Sequence, residues 1–242
     1  MARFDTRDLG GWEQDVATLA GSLVHEVKNP LSTLNINAQL LLEEFMHPAS
    51  PREQRVVKRL NVMASEVGRI EQIVDTFLRF TQPQDLARGE VSLTDLLSDL
   101  RDRYSEAFGR SGIRILWQPA ADIPKIEGDE RLLHQAFLNL MVNAQQAMPE
   151  GGELILRAQE VGETIEVEVI DTGKGIPEET LPKIFRPYFS SKSDGTGLGL
   201  PTTLRIIRAH GGELRVESER GKGSRFVVSI PLTASPQKMR DA

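Results

Sequence analysis

Apolar residues recur at steps of three and four through the first third of the chain, at Val16, Ala20, Leu23, Val27, Leu31, Leu34, Ala38, Leu41 and Phe45. That period predicts one long helix. The stretch "MHPASPRE" breaks it with two prolines and a serine, and a second periodic run follows at Val56, Leu60, Met63, Val67, Ile70, Val74 and Phe77. The alternating four-three spacing of the second run is a heptad seam. Two antiparallel helices cannot hide such stripes alone, which predicts a helical hairpin that pairs with a second copy as a four-helix bundle. Packing of the hairpin on the rest of its own chain is the alternative.

"TQPQDLARGE" reads as a linker, after which the pattern changes to mixed helix and strand. Helices are predicted from Leu93 to Phe108, from Glu130 to Met148 and from about Leu198 to His210, with a short strand at "IRILWQ". "GELILRAQEV" and "TIEVEVID" form a hairpin around Gly162, and Ile165, Val167 and Val169 alternate with Glu166 and Glu168, which predicts one wet sheet face. Strands "ELRVES" and "SRFVVSIPL" close the domain. Antiparallel strands with a few helices predict an α+β sandwich, helices on one sheet face. The expected organisation is an N-terminal linker (1–15), a helical hairpin (16–80), a hinge (81–90), an α+β domain (91–233) and a polar tail (234–242).

Composition narrows the function. A formal charge of −6 with no block of Lys or Arg argues against nucleic acid as the main partner. The absence of cysteine removes disulfides, thiol nucleophiles and Cys-based zinc sites, and fits a reducing compartment. The longest apolar runs, such as Leu40-Leu41-Leu42, are far too short to span a bilayer and no signal-peptide pattern opens the chain, so a cytoplasmic protein is expected.

Two regions carry candidate chemistry. In "VHEVKNP", His25 lies two residues from Leu23 and from Val27, both on the apolar seam. Two helical steps turn through about 200°, so His25 is expected to face away from the bundle interior. Asn29 follows one turn along, Glu26 is adjacent, and Pro30 cannot donate to the Glu26 carbonyl, which predicts a kink. An exposed histidine with a carboxylate to take its proton resembles a built nucleophile, whereas one His, one Glu and an Asn make a poor zinc ligand set. In the second half, "DTGKGIP" follows a strand and "DGTGLGL" precedes a helix, where glycine lets backbone N–H groups approach phosphate oxygens. Neither follows the P-loop or dinucleotide spacing. Asn139 and Asn143 share one helix face, and an amide carbonyl is a suitable hard ligand for Mg²⁺.

Taken in order, "HEVKNPL", "NLMVNAQQAM", "DTGKGIP", "IFRPYFSSK", "GTGLGL" and "GKGSRF" resemble the H, N, G1, F, G2 and final glycine motifs of the catalytic core of two-component sensor histidine kinases. The "FRPYFSSK" form is nearest to the nitrogen-regulation-type subgroup. The resemblance implies a dimerisation and phosphoacceptor hairpin followed by a Bergerat-type, GHKL ATP-binding domain. It implies that His25 attacks the γ-phosphorus of ATP, that Glu26 accepts or orients its proton, and that Asn29 positions water for dephosphorylating a response regulator. Asp171 would accept a hydrogen bond from the adenine amino group, with Gly173 and Gly175 letting the base approach. Asn143 would be the Mg²⁺ ligand and Asn139 would face the phosphates. Residues 176–195 would form a mobile lid, and Gly195, Thr196, Gly197, Leu198 and Gly199 would form the phosphate loop with Lys192 as a point charge. Phe185 and Phe189 are expected to pack the lid, and His210 to end a helix.

The implied partners are a response regulator receiver domain and a second copy of the chain, with the signal arriving from an upstream sensor protein or from a sensor domain missing from this sequence. A serine-directed GHKL kinase and a non-catalytic dimeric scaffold are the alternatives.

Overall fold

The computed structural model describes residues 1–6, 13–45, 50–81, 86–189 and 197–232; along the two long helices, side chains are described at Val27, 30–45, 50–70 and 74. The chain divides into two compact units, one of residues 11–83 and the other of residues 1–10 with 84–242.

The smaller unit is the expected hairpin, α1 (Glu13–Glu44) and α2 (Pro51–Thr81). Proline suits the first position of α2, where the missing N–H has no partner to lose, and Ser50 Oγ caps the end by accepting the Glu53 N–H at 3.2 Å. Helix α1 runs through Pro30 and continues on both sides of it. Leu31, Ala38 and Leu60 are buried, whereas Leu34 and Met63 of the same apolar pattern stay 54% and 58% exposed. The hairpin therefore covers only part of its stripe.

The larger unit is an α/β sandwich. Its strands are β1 (Ala2–Asp5), β2 (Gly89–Val91), β3 (Ile113–Pro119), β4 (Ile126–Gly128), β5 (Gly152–Val161), β6 (Thr164–Asp171), β7 (Glu213–Glu219) and β8 (Gly223–Pro231). Its helices are α3 (Leu93–Arg110), α4 (Glu130–Ala147) and α5 (Gly199–Ala209), with a 3₁₀ segment at Glu178–Lys183. One six-stranded sheet runs β1-β7-β8-β6-β5-β3, and β2 pairs with β4. All pairs are antiparallel except β3 with β5, whose connection contains α4, as a parallel pair requires. The inward residues of the strands, such as Leu154, Val167, Val216 and Phe226, join Leu97, Phe137, Leu140 and Ile207 of the three helices in one apolar core.

Three expectations change. The N-terminal linker is not a linker throughout: residues 2–5 form an edge strand in register with β7, Phe4 opposite Val216. Alternation explains it, since Ala2 and Phe4 pack on the core while Arg3 and Asp5 lie on the other face. Part of the segment expected as a hinge, 81–90, belongs to the larger unit: Leu86 packs on the core, the buried Asp129 accepts the Ala87 N–H at 3.1 Å, and β2 begins at Gly89. The outer sheet face is not simply wet either. Glu168 is only 5% exposed, since arginines cover it: Arg157 on β5 at 3.8 Å and Arg225 on β8. Arg225 reaches Glu217 on β7 at 3.1 Å, and Glu217 meets Arg3 on β1 at 3.8 Å. Arginine stems over the strands shield carboxylates that the alternation alone would leave in water. The expected tail, 234–242, lies outside the described residues.

Candidate active site

Helix α4 sets one wall of the site. Asp129 caps it, its side chain accepting the Leu132 N–H at 3.1 Å, and Leu133, Phe137, Leu140, Met141 and Ala144 turn one stripe into the core. That leaves Asn139 and Asn143, one turn apart, half-buried at the edge of the stripe. Asn139 Nδ2 donates to the Gly199 carbonyl at 3.3 Å.

The "DTGKGIP" loop forms the second wall. Asp171, buried at the end of β6, accepts the Gly173 N–H at 2.8 Å, and Lys174 N–H donates to the Ala147 carbonyl at 3.0 Å, holding the loop against the end of α4. Both glycines are required by backbone already present. A Cβ on Gly173 would lie 2.5 Å from the Ala147 oxygen, and one on Gly175 (φ +66°) 2.1 Å from the Glu219 oxygen. From behind, Ser218 Oγ accepts the Ile176 N–H at 2.8 Å, and the Gly221 N–H donates to the Lys174 carbonyl at 2.7 Å. Ser218 has no motif around it, and only the fold reveals its role.

The third wall is the start of α5. Leu198 is fully buried and anchors the turn, and among the described residues no side chain caps this helix end. Pro201 has no N–H, so Gly199 and Leu200 supply the backbone donors of the first turn. Nothing lies within 4 Å of the place a Cβ would take on Gly199, so that glycine answers to no packing demand. Gly197 (φ +67°) does answer to one: a Cβ there would lie 2.6 Å from the Tyr188 carbonyl carbon, so the "IFRPYFSSK" segment presses on the glycine loop. Thr203, fully buried and missed by the motif reading, donates to the Gly199 carbonyl at 3.0 Å.

The structure thus brings Asn139, Asn143, Asp171, Gly173, Gly175, Gly197, Leu198 and Gly199 onto one unit, linked through α4. Lys192, Gly195 and Thr196 lie outside the described residues. His25, Glu26 and Asn29 lie on α1 of the other unit, their side chains outside the described ones. Phe185 is fully buried and Phe189 packs on the core.

A buried carboxylate at a strand end, glycine-lined turns and an uncapped helix start make a donor set that fits an adenine nucleotide. Asn143 would be the residue to offer Mg²⁺ an amide carbonyl, and among the described residues no cluster of His, Asp or Glu could hold a metal by itself. That fits an ion carried in with phosphates, which Mg²⁺ commonly is.

His210 closes the far end of α5. Its ring Nε2 accepts the Asp129 N–H at 2.9 Å and its Nδ1 faces the Ile206 carbonyl at 2.7 Å, which fixes a neutral ring with the proton on Nδ1. Burial pushes the imidazole below its ordinary value, Arg88 adding to the effect while the Ile206 carbonyl and Asp129 oppose it.

A helical hairpin joined to this sandwich is the architecture of a phosphoacceptor helix with a GHKL-type ATPase. Residues 15–86 match the His Kinase A (phospho-acceptor) domain family, and residues 128–234 match the histidine kinase-, DNA gyrase B- and HSP90-like ATPase family. The chain is 35% identical to the sensor histidine kinase ZraS of Escherichia coli K12 over 214 residues, 88% of this chain and 45% of that one. It also resembles the crystal structure of full-length ShkA in complex with AMPPNP, with a TM-score of 0.71 at 26% identity over 90% of this chain and 47% of that one. The histidine kinase ThkA in complex with the response regulator TrrA shares the fold, with a TM-score of 0.67 at 24% identity over 96% of this chain and 66% of that one. The chain carries the catalytic core of a two-component histidine kinase, the phosphoacceptor domain followed by the ATPase domain. It spans about half the length of the ZraS sequence, 45%.

Proposed function

We propose that this chain is an ATP-dependent histidine autokinase of the nitrogen-regulation type that acts as a homodimer in the cytoplasm. The observation that carries the reading is the convergence of Asp171, the glycine turns and the start of α5 around α4, with "HEVKNPL" on a separate helical unit. His25 Nε2 attacks the γ-phosphorus, the bond to the ADP oxygen breaks, and Glu26 takes the proton that the imidazole sheds. Asp171 selects adenine by accepting from its amino group. Backbone N–H groups of Gly197 and Gly199, with Gly195, Thr196 and Lys192, bind phosphate oxygens, and Asn139 and Asn143 face the same groups. Magnesium, held through Asn143, would neutralise charge on the phosphates.

The uncovered apolar side chains of the hairpin, Leu34 and Met63 among them, support pairing with a second copy. The phosphoryl group then passes to an aspartate of a response regulator docked on the hairpin, and Asn29 serves the opposing reaction, positioning the water that hydrolyses the regulator's aspartyl phosphate to inorganic phosphate. No described helix is long and apolar enough to cross a membrane. The AMPPNP held by ShkA and the regulator bound by ThkA support these partners. The test is transfer: the chain, labelled from γ-labelled ATP and Mg²⁺ and then freed of nucleotide, should lose its label to a receiver domain. Label that appears on the chain but never leaves it would leave the kinase and remove the regulator.

A further inference from the structure

Residues 2–5 precede the phosphoacceptor helix in the chain, yet they form a strand of the nucleotide-binding unit. The Phe4 ring stacks on that of Phe185, centroids 6.1 Å apart and planes 19° from parallel. Phe185 is fully buried and belongs to the segment whose backbone, at Tyr188, presses on Gly197. Two hydrogen bonds anchor the end of the strand. Thr6 Oγ1 donates to the Leu214 carbonyl at 2.8 Å, and Arg208 Nη2 on α5 donates to the Thr6 carbonyl at 2.7 Å. The strand therefore touches both elements that bear on the phosphate loop, the Phe185 segment and α5. Only residues 6–12 separate it from the start of α1.

We propose that β1 is a cis-acting edge strand that couples the chain entering the phosphoacceptor helix to the nucleotide site. Docked on β7, it holds Phe185 and α5 in the arrangement that binds ATP; bound nucleotide in turn holds the strand in place. The proposal rests on the ATP reading above. Coupling of this kind is reciprocal, so it is readable from either end. A displaced strand exposes one face of Phe185 and frees the Arg208 anchor, and the site pays in affinity.

The test uses the whole chain and AMPPNP with Mg²⁺. Nucleotide should slow amide exchange across residues 2–5, and Phe4→Ala should weaken AMPPNP binding by about five-fold or more, the lower end of ordinary coupling. A purely structural strand would give neither nucleotide-dependent protection nor the affinity change. Wild-type protein that binds AMPPNP with unchanged exchange in β1, and Phe4→Ala within about two-fold of it, would overturn the coupling while leaving the ATP reading intact. Wild-type protein that binds no nucleotide would take down the ATP reading and the coupling with it. Because the chain lacks cysteine, Arg3→Cys with Glu217→Cys, which are register partners, gives a second route. Should Phe4→Ala fail to fold, the oxidised pair must bind AMPPNP more tightly than the reduced pair; equal affinity overturns the proposal. A disulfide that joins two chains instead of one overturns its cis character.

Discussion

The side-chain amide of Asn139 donates to the carbonyl of Gly199 at 3.3 Å, tying the middle of α4 to the first residue of α5. The same carbonyl receives the Thr203 hydroxyl at 3.0 Å, so the helix start is held from its own next turn and from the neighbouring helix. Asn139→Ala removes one of these ties. A hydrogen bond of this kind contributes about 1 kcal/mol, so nucleotide binding should weaken about five-fold with the fold retained. Calorimetric titration of the variant with AMPPNP checks it.

Asp171 is buried at the end of β6 and its side chain accepts the Gly173 N–H. Asp171→Asn replaces an acceptor with an amide that can offer its NH₂ where an adenine amino group needs an oxygen. A mispaired polar group in a buried site costs about 1–3 kcal/mol, so ATP affinity should fall about ten-fold or more, and preference for ATP over GTP should shrink. Competition binding of the two nucleotides to wild type and variant measures both.

Two glycines should answer oppositely to alanine. A Cβ on Gly223 (φ +92°) would sit 1.9 Å from the Asp171 carbonyl oxygen, so Gly223→Ala should lose about 2 kcal/mol or more of stability. Gly199 has open space, so Gly199→Ala should melt no lower than wild type and yet bind nucleotide more weakly, because the methyl group occupies the phosphate approach. Paired thermal melts and binding isotherms separate the two effects.

Acid should weaken the nucleotide-binding unit through His210. Its folded value lies below the ordinary imidazole value of about 6.5, so the unfolded chain binds the extra proton first. The stabilisation is complete above that ordinary value and is lost as pH falls through it towards the lower folded value. Protonation would turn Nε2 into a donor facing the Asp129 N–H. The melting temperature of wild type should drop between neutral pH and pH about 5 more steeply than that of His210→Gln. Parallel slopes would contradict this.

The motifs were legible because their chemistry restricts the residue: Gly175 and Gly197 take positive φ. The reason for Gly175 was not legible, since the Glu219 carbonyl that crowds it comes from a distant hairpin. Strand β1 was missed because four alternating residues are too few to show a period, and its partner strand begins at Glu213. The burial of Glu168 was missed because the arginines that cover it arrive from two neighbouring strands. Ser218 and Thr203 are single polar residues whose donors and acceptors are set only by tertiary packing. Sequence periodicity sees the chain's own faces; it does not see what other segments bring to them.

The central claim is that a phosphoryl group forms a bond to the ring nitrogen of His25. The most direct measurement is the chemical stability of label incorporated from γ-labelled ATP with Mg²⁺, in wild type and in His25→Gln. The account predicts label that is lost in acid, kept in alkali, and absent from the variant. Acid-stable label, or label that persists when His25 is replaced, would contradict it.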